Sequence, residues 1–284
     1  MTELLTTTPA PGEAWESLAE GNEAGAYASL IDSARMPGFG LHRQPGTVAL
    51  RSPAAASVLV VNRVIGWGAG HAVDESTLDR LAALYGDAGF AIELCAGTCT
   101  AEVLAWLKAK HFRRLSTSQL MVCDTVAANT VGRYETWSRT TGLRVDSVDV
   151  EQASTLARLC CENFKLPQVI GQWLSVGMLG EGWRRWLAFD GDQAVGASLS
   201  YVQGGLCWFG WSAVNHSHRG RWIQAGFVAR QLEDAAEAGC RWITTDTAQS
   251  SKERPNPVHL TLKRFGFVDA YLRPTFVRAP VRRV

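Results

Sequence analysis

LCWFGWSAVNHSHRGRWIQAGFVARQLEDAAEAG, residues 206–239, decides how this chain is read. Leu206–Val214 carries nine uncharged, mostly bulky residues, the pattern of a buried strand. Asn215–Arg221 is a polar loop with two His and two Arg. From Trp222 to Ala238 the apolar residues recur at helical spacing, with Ile223, Phe227, Val228 and Leu232 on one face and Gly239 at the C′ position. A strand that runs straight into a helix start leaves backbone N–H groups unpaired and facing outward. Together with the helix dipole they form an anion site suited to phosphate. Arg219 and Arg221 add positive charge there, and Gly220 lets backbone approach a ligand closely. A solvated loop with idle charges accounts for the same residues, and spacing alone leaves both readings open.

Working outward, the stretch sits in a chain of 284 residues, long enough for two domains or one large one. Residues 1–13 are rich in Thr and Pro and predict a flexible lead. Residues 14–126 begin with a helix over Trp15–Ala34. Strands at Thr47–Leu50 and Ser57–Ile65 follow, the second broken by the GWGAG run Gly66–Gly70. A helix capped by Asp74, a strand at Phe90–Cys95, a helix at Thr100–Ala109 and a strand at Leu115–Val122 complete this half. A polar, small-residue stretch, 127–142, reads as a linker. Residues 143–284 repeat the order: a strand from Arg144, helices over Gln152–Asn163 and around Val169–Met178, and a meander of strands from Trp186 to Val214. After the long helix come a strand at Trp242–Thr245, a short helix at Val258–Phe265 and a strand pair within Phe267–Val277. The expected fold is therefore α/β (α+β), with an internal structural duplication and no fixed repeat motif.

Composition excludes several classes. Lys plus Arg is 28 and Asp plus Glu 27, a net charge of +1, which argues against a broad nucleic-acid surface and predicts no DNA partner. The longest apolar runs are too short to cross a bilayer, and no secretory leader opens the sequence, so a cytoplasmic protein without a membrane partner is expected. The seven Cys form no pair of CxxC hooks and have no His at zinc-finger spacing. Reduced, buried thiols and no metal follow as the expectation.

The residues of the deciding stretch resemble the acyl-CoA-binding motif of the GCN5-related N-acetyltransferase superfamily, V-x-P-x-x-[RQ]-x-x-G-x-[GA]. Val214, Arg219 and Gly220 match; His216 stands at the motif's Pro, and Trp222 and Gln224 stand at its later small residues. Asn256 followed by Gly266–Phe267 resembles a second landmark of the family, on its fourth helix. The first half is similar to a degenerate copy, with His111–Phe112 where Gly-Phe would be. The resemblance implies two tandem domains of this kind. Each is a mixed, mostly antiparallel sheet splayed between its fourth and fifth strands, with acetyl-CoA or another acyl-CoA bound in the second. It implies that the pantetheine arm pairs with backbone around Ser212 and Val214. The pyrophosphate would sit on the N–H groups of Gly220, Arg221, Trp222, Ile223 and Gln224, with Arg219 and Asn256 alongside. A small-molecule amine would then attack the thioester directly, in an acyltransferase whose acceptor the resemblance does not name; natural-product biosynthesis is one setting that tandem proteins of this kind suggest.

Two of the family's usual proton-transfer positions are vacant. The frequent acid, a Tyr six residues after the fourth-helix Asn, is Leu262 here, and Leu206–Val214 holds no carboxylate that could act as base. A thiolate of CoA leaves with little help, because its thiol pKa is not far above that of Cys. Asp246, just after the strand Trp242–Thr245, is the first candidate for base or amine anchor, with a loop cap as the alternative. His216 is the second, with an exposed loop His as its alternative. The first half has Gly66, Gly68 and Gly70 but no Arg or Lys in that loop, and Asp74–Glu75 would repel a pyrophosphate. It is read as non-catalytic, a wall of the acceptor pocket. Trp173, Trp183, Trp186, Trp208 and Trp211 read as core or pocket lining and suggest an apolar or planar acceptor. Two other readings stay open: a donor that is a carrier-protein thioester or aminoacyl-tRNA, met by Arg113–Arg114, Arg184–Arg185 or Arg282–Arg283, and a non-catalytic CoA-binding module.

Overall fold

Leu206–Val214 is a strand over its whole expected length, and the helix after it spans Ile223–Glu237. The computed structural model describes residues 13–44, 46–128 and 132–280; the N-terminal stretch up to residue 12 and the pair Arg282–Arg283 lie outside the described residues. In chain order the first half holds α1 (Glu13–Ala34), β1 (Gly40–Gln44), β2 (Thr47–Arg51), β3 (Arg63–Trp67), α2 (Glu75–Tyr85), β4 (Phe90–Leu94), α3 (Ala101–Ala109) and β5 (Phe112–Asp124). The second holds α4 (Arg133–Thr141), β6 (Arg144–Ser147), α5 (Ala153–Phe164), α6 (Gln168–Gly177), β7 (Trp183–Asp190) and β8 (Gln193–Gln203). After these come β9 (Leu206–Val214), α7 (Ile223–Glu237), β10 (Trp242–Ala248), α8 (Pro257–Arg264) and β11 (Val268–Arg278).

The strands form one eleven-stranded sheet in the order β1-β2-β3-β4-β11-β5-β10-β9-β8-β7-β6. The two halves exchange their last strands. β11 lies between β4 and β5 and is antiparallel to both, while β5 lies between β11 and β10. Each exchanged strand is long, 13 residues for β5 and 11 for β11, so it satisfies ladders on both sides.

The duplication is legible in backbone geometry. β3 pairs with β4 in parallel, as β9 does with β10. His111 adopts φ +64 immediately before buried Phe112, and Gly266 adopts φ +94 immediately before buried Phe267. His111 thus holds the left-handed conformation that Gly takes in the second copy, which supports reading the first copy as degenerate.

Several expectations are corrected. Ser57–Val61 is not strand: short 3-10 turns at Pro53–Ala55 and Leu59–Val61 precede β3, with the buried Asn62 side chain tying Ser52, Ala55 and Val58 together. β3 runs through Gly66 to Trp67. Phe267–Val277 yields one strand, not a pair, because it crosses both halves. The polar stretch 127–142 contains α4, whose Trp137 is buried against Gly226 of α7. Tyr134 packs beside it, and its hydroxyl donates to the Val145 carbonyl at 3.0 Å and accepts from the Val145 amide at 2.9 Å, so two aromatic residues fix an otherwise polar helix.

The core explains where the site lies. α7 buries Ile223, Phe227, Val228 and Leu232 as its spacing predicts, each worth roughly 1.5–3 kcal/mol of apolar transfer. α1 spans both halves, packing on β2 and β3 of the first and on β9, β10 and α6 of the second; Asn22 donates to Thr244 Oγ1 at 2.8 Å, and Trp183 donates to Ser29 Oγ at 3.2 Å. Trp173, Trp183, Trp186, Trp208 and Trp211 are all buried. Six of the seven Cys are buried and all are free thiols; burial pushes the Cys123 thiol up to about 12. Among the described residues no helix is long and apolar enough to cross a membrane.

Candidate active site

β9 and β10 are joined only at Leu206–Trp242, Cys207–Ile243 and Trp208–Thr244. Beyond Trp208 they part, and the gap holds two clefts. Part of the cause lies in β9: against β8, Ala213 faces Ala197 and Gly210 faces Leu199, so two residues, Trp211 and Ser212, bulge opposite Ser198. Trp211 takes φ +52 in this bulge, and the Cys160 thiol donates to its carbonyl at 3.3 Å. Such bulges bend a strand and re-aim its backbone, and they recur beside active sites.

The outer cleft, about 540 Å³, is lined by Ser212, Val214, Arg219, Gly220, Trp222, Ile223 and Gln224, together with Asn163, Phe164, His218 and the start of α8. Seven of the residues expected at the donor site are therefore assembled in one place. Among the described residues, no hydrogen bond engages the amides of Gly220, Trp222, Ile223 or Gln224. Four free N–H groups at the start of a fifteen-residue helix are of the kind that suits an anion. Gly220 is needed for its φ of +83, since a Cβ there would meet open space. Arg219 is exposed and makes no ion pair among the described residues, so its charge remains for a ligand. Ser212 Oγ donates to Gln224 Oε1 at 2.8 Å, bracing the strand against the helix.

Two expected donor residues are placed otherwise. Arg221 is ion-paired with Asp190, which also lies 3.3 Å from His218 Nε2, and its side chain stands outside the cleft lining. Arg221 and, to a lesser degree, burial and His218 govern the Asp190 carboxyl, which is held below its ordinary range. Asn256 spends its side chain on local structure: its amide donates to Thr247 Oγ1 and the Ala248 carbonyl, and its Oδ1 accepts from the Val258 amide. It ties the end of β10 to the first turn of α8 as an N-cap.

Trp222 is the N-cap of α7, with φ +59, the left-handed region its Gly counterpart in the motif adopts freely. Its ring is half exposed, with the Arg264 guanidinium 5.3 Å from it. It separates the outer cleft from a second groove bordered by Trp137 and Phe265.

The inner cavity, about 330 Å³, continues from the outer cleft through Phe164, Ser212, Gln224 and Val258. Asp246 lines it, inside β10 and not beyond it as the sequence suggested, because β10 continues to Ala248 against β5. Its Oδ2 lies 3.4 Å from Arg273. His216 is exposed in the 3-10 turn His216–His218 and lines neither cavity, so the two base candidates are not brought together. Leu262 is buried in the wall.

The first half supplies Glu23, Tyr27 and Arg63 to the inner cavity. Behind them lies a buried ion cluster. Arg273 contacts Glu20 at 3.2 Å and Glu23 at 2.7 Å, and Arg63 contacts Glu23 at 2.9 Å and Glu93 at 2.6 Å. Burial pushes Glu20 up to about 7, with Arg273 opposing. Burial also raises Glu93, whereas for Glu23 the two guanidiniums outweigh burial and hold it below its ordinary value. Sequence reading missed these residues. Their signal was the stripe Ala19, Glu20, Glu23, Ala26, Tyr27, Leu30 on α1, where carboxylates interrupt an apolar face at helical spacing and so demand buried partners.

The equivalent region of the first half is unsuited to a phosphate. β3 pairs with β4 again at Trp67 after a register shift beyond Val64, so the two strands do not part, and both Glu16 carboxylate oxygens accept from the Gly97 amide. The nearby cleft is lined by Glu16 and Glu102, with no Lys or Arg among its described residues.

A parallel pair that parts at a bulge, opens onto a helix start and recurs in a second, closed copy is the architecture of one fold family. The chain has the GCN5-related N-acetyltransferase fold. It is similar in structure to a GCN5-related N-acetyltransferase from Kribbella flavida, with a TM-score of 0.61 and 12% identity over 93% of this chain and 96% of that one. It is similar to one from Sphaerobacter thermophilus, with a TM-score of 0.56 and 15% identity over 98% of each chain. A tandem protein from the clavulanic acid biosynthesis pathway gives 0.55 and 13%, over 97% of this chain and 99% of that one. No family model matches the sequence, and no curated protein does. The acetyltransferase fold is thus recognised here through backbone geometry, which survives at identities where residue matching fails.

Proposed function

We propose that the chain is an N-acyltransferase that moves an acyl group, most simply acetyl, from acyl-CoA to the amine of a small molecule. The observation that carries this reading is the parting of β9 from β10, which opens onto the four free amides at the start of α7. The pantetheine arm would lie along Ser212–Val214 as an added strand, with the pyrophosphate on the amides and Arg219. The acyl group then reaches the inner cavity past Ser212 and Gln224, which line both cavities.

In that arrangement the neutral amine attacks the thioester carbonyl carbon. The C–N bond forms, the C–S bond breaks, and the thiolate leaves with its electron pair. Asp246 takes the proton lost by the amine, and backbone N–H groups at the Trp211–Ser212 bulge stabilise the developing oxyanion. The site works chiefly by holding amine and thioester together. No metal enters this scheme, and the free, mostly buried thiols suit a reducing cytoplasm.

One observation favours a second donor. Trp222 narrows the mouth of the outer cleft, and the slim phosphodiester arm of a carrier protein passes where the adenosine of CoA is crowded. Calorimetric titration with CoA, and thiol release from acetyl-CoA in the presence of amines, test the leading reading. Binding or transfer only from a loaded carrier protein would favour the second, and neither would leave the fold without this activity.

A further inference from the structure

The inner cavity has the composition of a selective site. At about 330 Å³ it is at the small end of ligand pockets. Its apolar wall is aromatic: Tyr27, Phe164, Trp208, Phe209 and Trp211. Trp208 lies edge-on to Tyr27 with centroids 5.6 Å apart, and Phe164 edge-on to Trp211 at 6.2 Å. Gly210 permits this packing, since a Cβ there would collide with the Trp208 ring.

The polar groups are unevenly committed. Arg63, the one cationic residue in the lining, has both terminal nitrogens on Glu23 and Glu93. Arg273 behind it is 1% exposed and reaches four carboxylates. Both guanidiniums are thus committed to carboxylates, and among the described lining residues no positive group is left over. Asp246 is the least buried of the four, at 31% side-chain exposure, and only its Oδ2 has a partner. Tyr27 is 5% exposed, yet its hydroxyl has no hydrogen-bond partner among the described residues. The residue lines the cavity, so this hydroxyl is available to a ligand there.

Resting on the acyltransferase reading, we propose that the acceptor is a compact primary amine carrying an aromatic or similarly planar apolar group and no carboxylate. Its ammonium is held by Asp246 and the Tyr27 oxygen, and its ring lies among Trp208, Phe209 and Trp211. An ammonium pairs with the Asp246 carboxylate, whose Oδ1 has no partner among the described residues. A carboxylate would face Asp246 and Glu23 and find no free cation in the lining. A polyhydroxylated amine such as an amino sugar would bury hydroxyls against aromatic walls without partners.

The test compares matched pairs, 2-phenylethylamine with phenylalanine and benzylamine with phenylglycine, plus glucosamine. Binding to the free protein is read by tryptophan fluorescence and calorimetry, so the pocket is measured without any donor. The expected result is at least 30-fold tighter binding of each decarboxylated amine, a preference that falls at least fivefold in Asp246→Asn and weakens in Tyr27→Phe, with melting temperatures checked for both. Equal binding, or tighter binding of the amino acids or glucosamine, overturns the proposal. Thiol release from acetyl-CoA with the same amines is run separately. Selective binding without release would overturn the acyltransferase reading and leave the amine specificity standing, whereas release with glucosamine as the favoured amine would do the reverse.

Discussion

The indole N–H of Trp137, on the helix between the two halves, donates to the carbonyl of Trp222 at 2.9 Å. That bond helps to hold Trp222 in its left-handed conformation at the start of α7, with Ala225 and Gly226 amides sharing the same carbonyl. The ring consequently stands at the mouth of the outer cleft and neither enters the core nor swings free.

Trp222→Gly should open that mouth. CoA is expected to bind at least ~10-fold tighter, about 1.4 kcal/mol, with pantetheine phosphate little changed. Removing the indole costs little stability, because Gly takes this φ without the strain of roughly 1–2 kcal/mol that an L side chain bears. Equal CoA affinity in the two proteins would make the indole a passive wall.

Arg219 and Arg221 sit two residues apart and should behave differently. Arg219→Ala removes a free charge beside the amides and should weaken CoA about tenfold, near 1.4 kcal/mol. Arg221 is committed to Asp190, so Arg221→Ala should alter CoA affinity less than threefold. Glu16→Gln, in the first half, should leave it unchanged. Calorimetry on the three variants checks the order, and a larger loss from Arg221 or Glu16 would put the donor elsewhere.

Asp246→Asn should lower turnover by on the order of 100-fold, the usual worth of a general base, while donor affinity stays within a factor of three. The split between turnover and donor binding is the informative measurement. Unchanged turnover across pH 6–9 would remove Asp246 from proton transfer.

Glu20 makes a prediction about stability. Burial lifts its carboxyl from 4.5 to about 7. The folded chain therefore holds this proton through a range where the unfolded chain has released it, so stability contributed by the group declines as pH rises from about 4.5 to 7. The decline is on the order of 3 kcal/mol at 1.36 kcal/mol per pKa unit. Glu20→Gln keeps the neutral form, and its melting temperature should fall less between pH 5 and pH 8 than that of the parent. Parallel curves would assign the titration to another member of the cluster, such as Glu93, which burial also raises.

Much of the outer cleft was legible because it is local. The strand Leu206–Val214, the loop and α7 are adjacent in sequence, and the spacing of Ile223, Phe227, Val228 and Leu232 reports a face that is indeed buried. The inner cavity was not, because it is assembled from distant positions. Asp246 was singled out from its place near a strand end, but Glu23 and Tyr27 on α1 and Arg63 on β3 join it only when the two halves pack together. Arg221 and Asn256 show the converse. Residue type and motif position suggested ligands, and the partners that absorb them, Asp190 and Thr247, are 31 and 9 residues away.

What the sequence determined by itself is whatever depends on neighbours within a few turns: the helix and strand periods, the Asp74 cap, and the glycine-like backbone at Gly220. The order in which the strands pair was decided only by the tertiary structure. Nothing in Phe112–Asp124 or Val268–Arg278 states that each will complete the other half's sheet, because antiparallel pairing reads alternation and length and carries no label for its partner. The same holds for the ion cluster beneath the inner cavity. Glu20, Glu23, Arg63, Glu93 and Arg273 come from four separate elements, and nothing along the chain says that they will meet. Only the packing of α1 onto the exchanged strands removes them from water, and once buried they must satisfy one another.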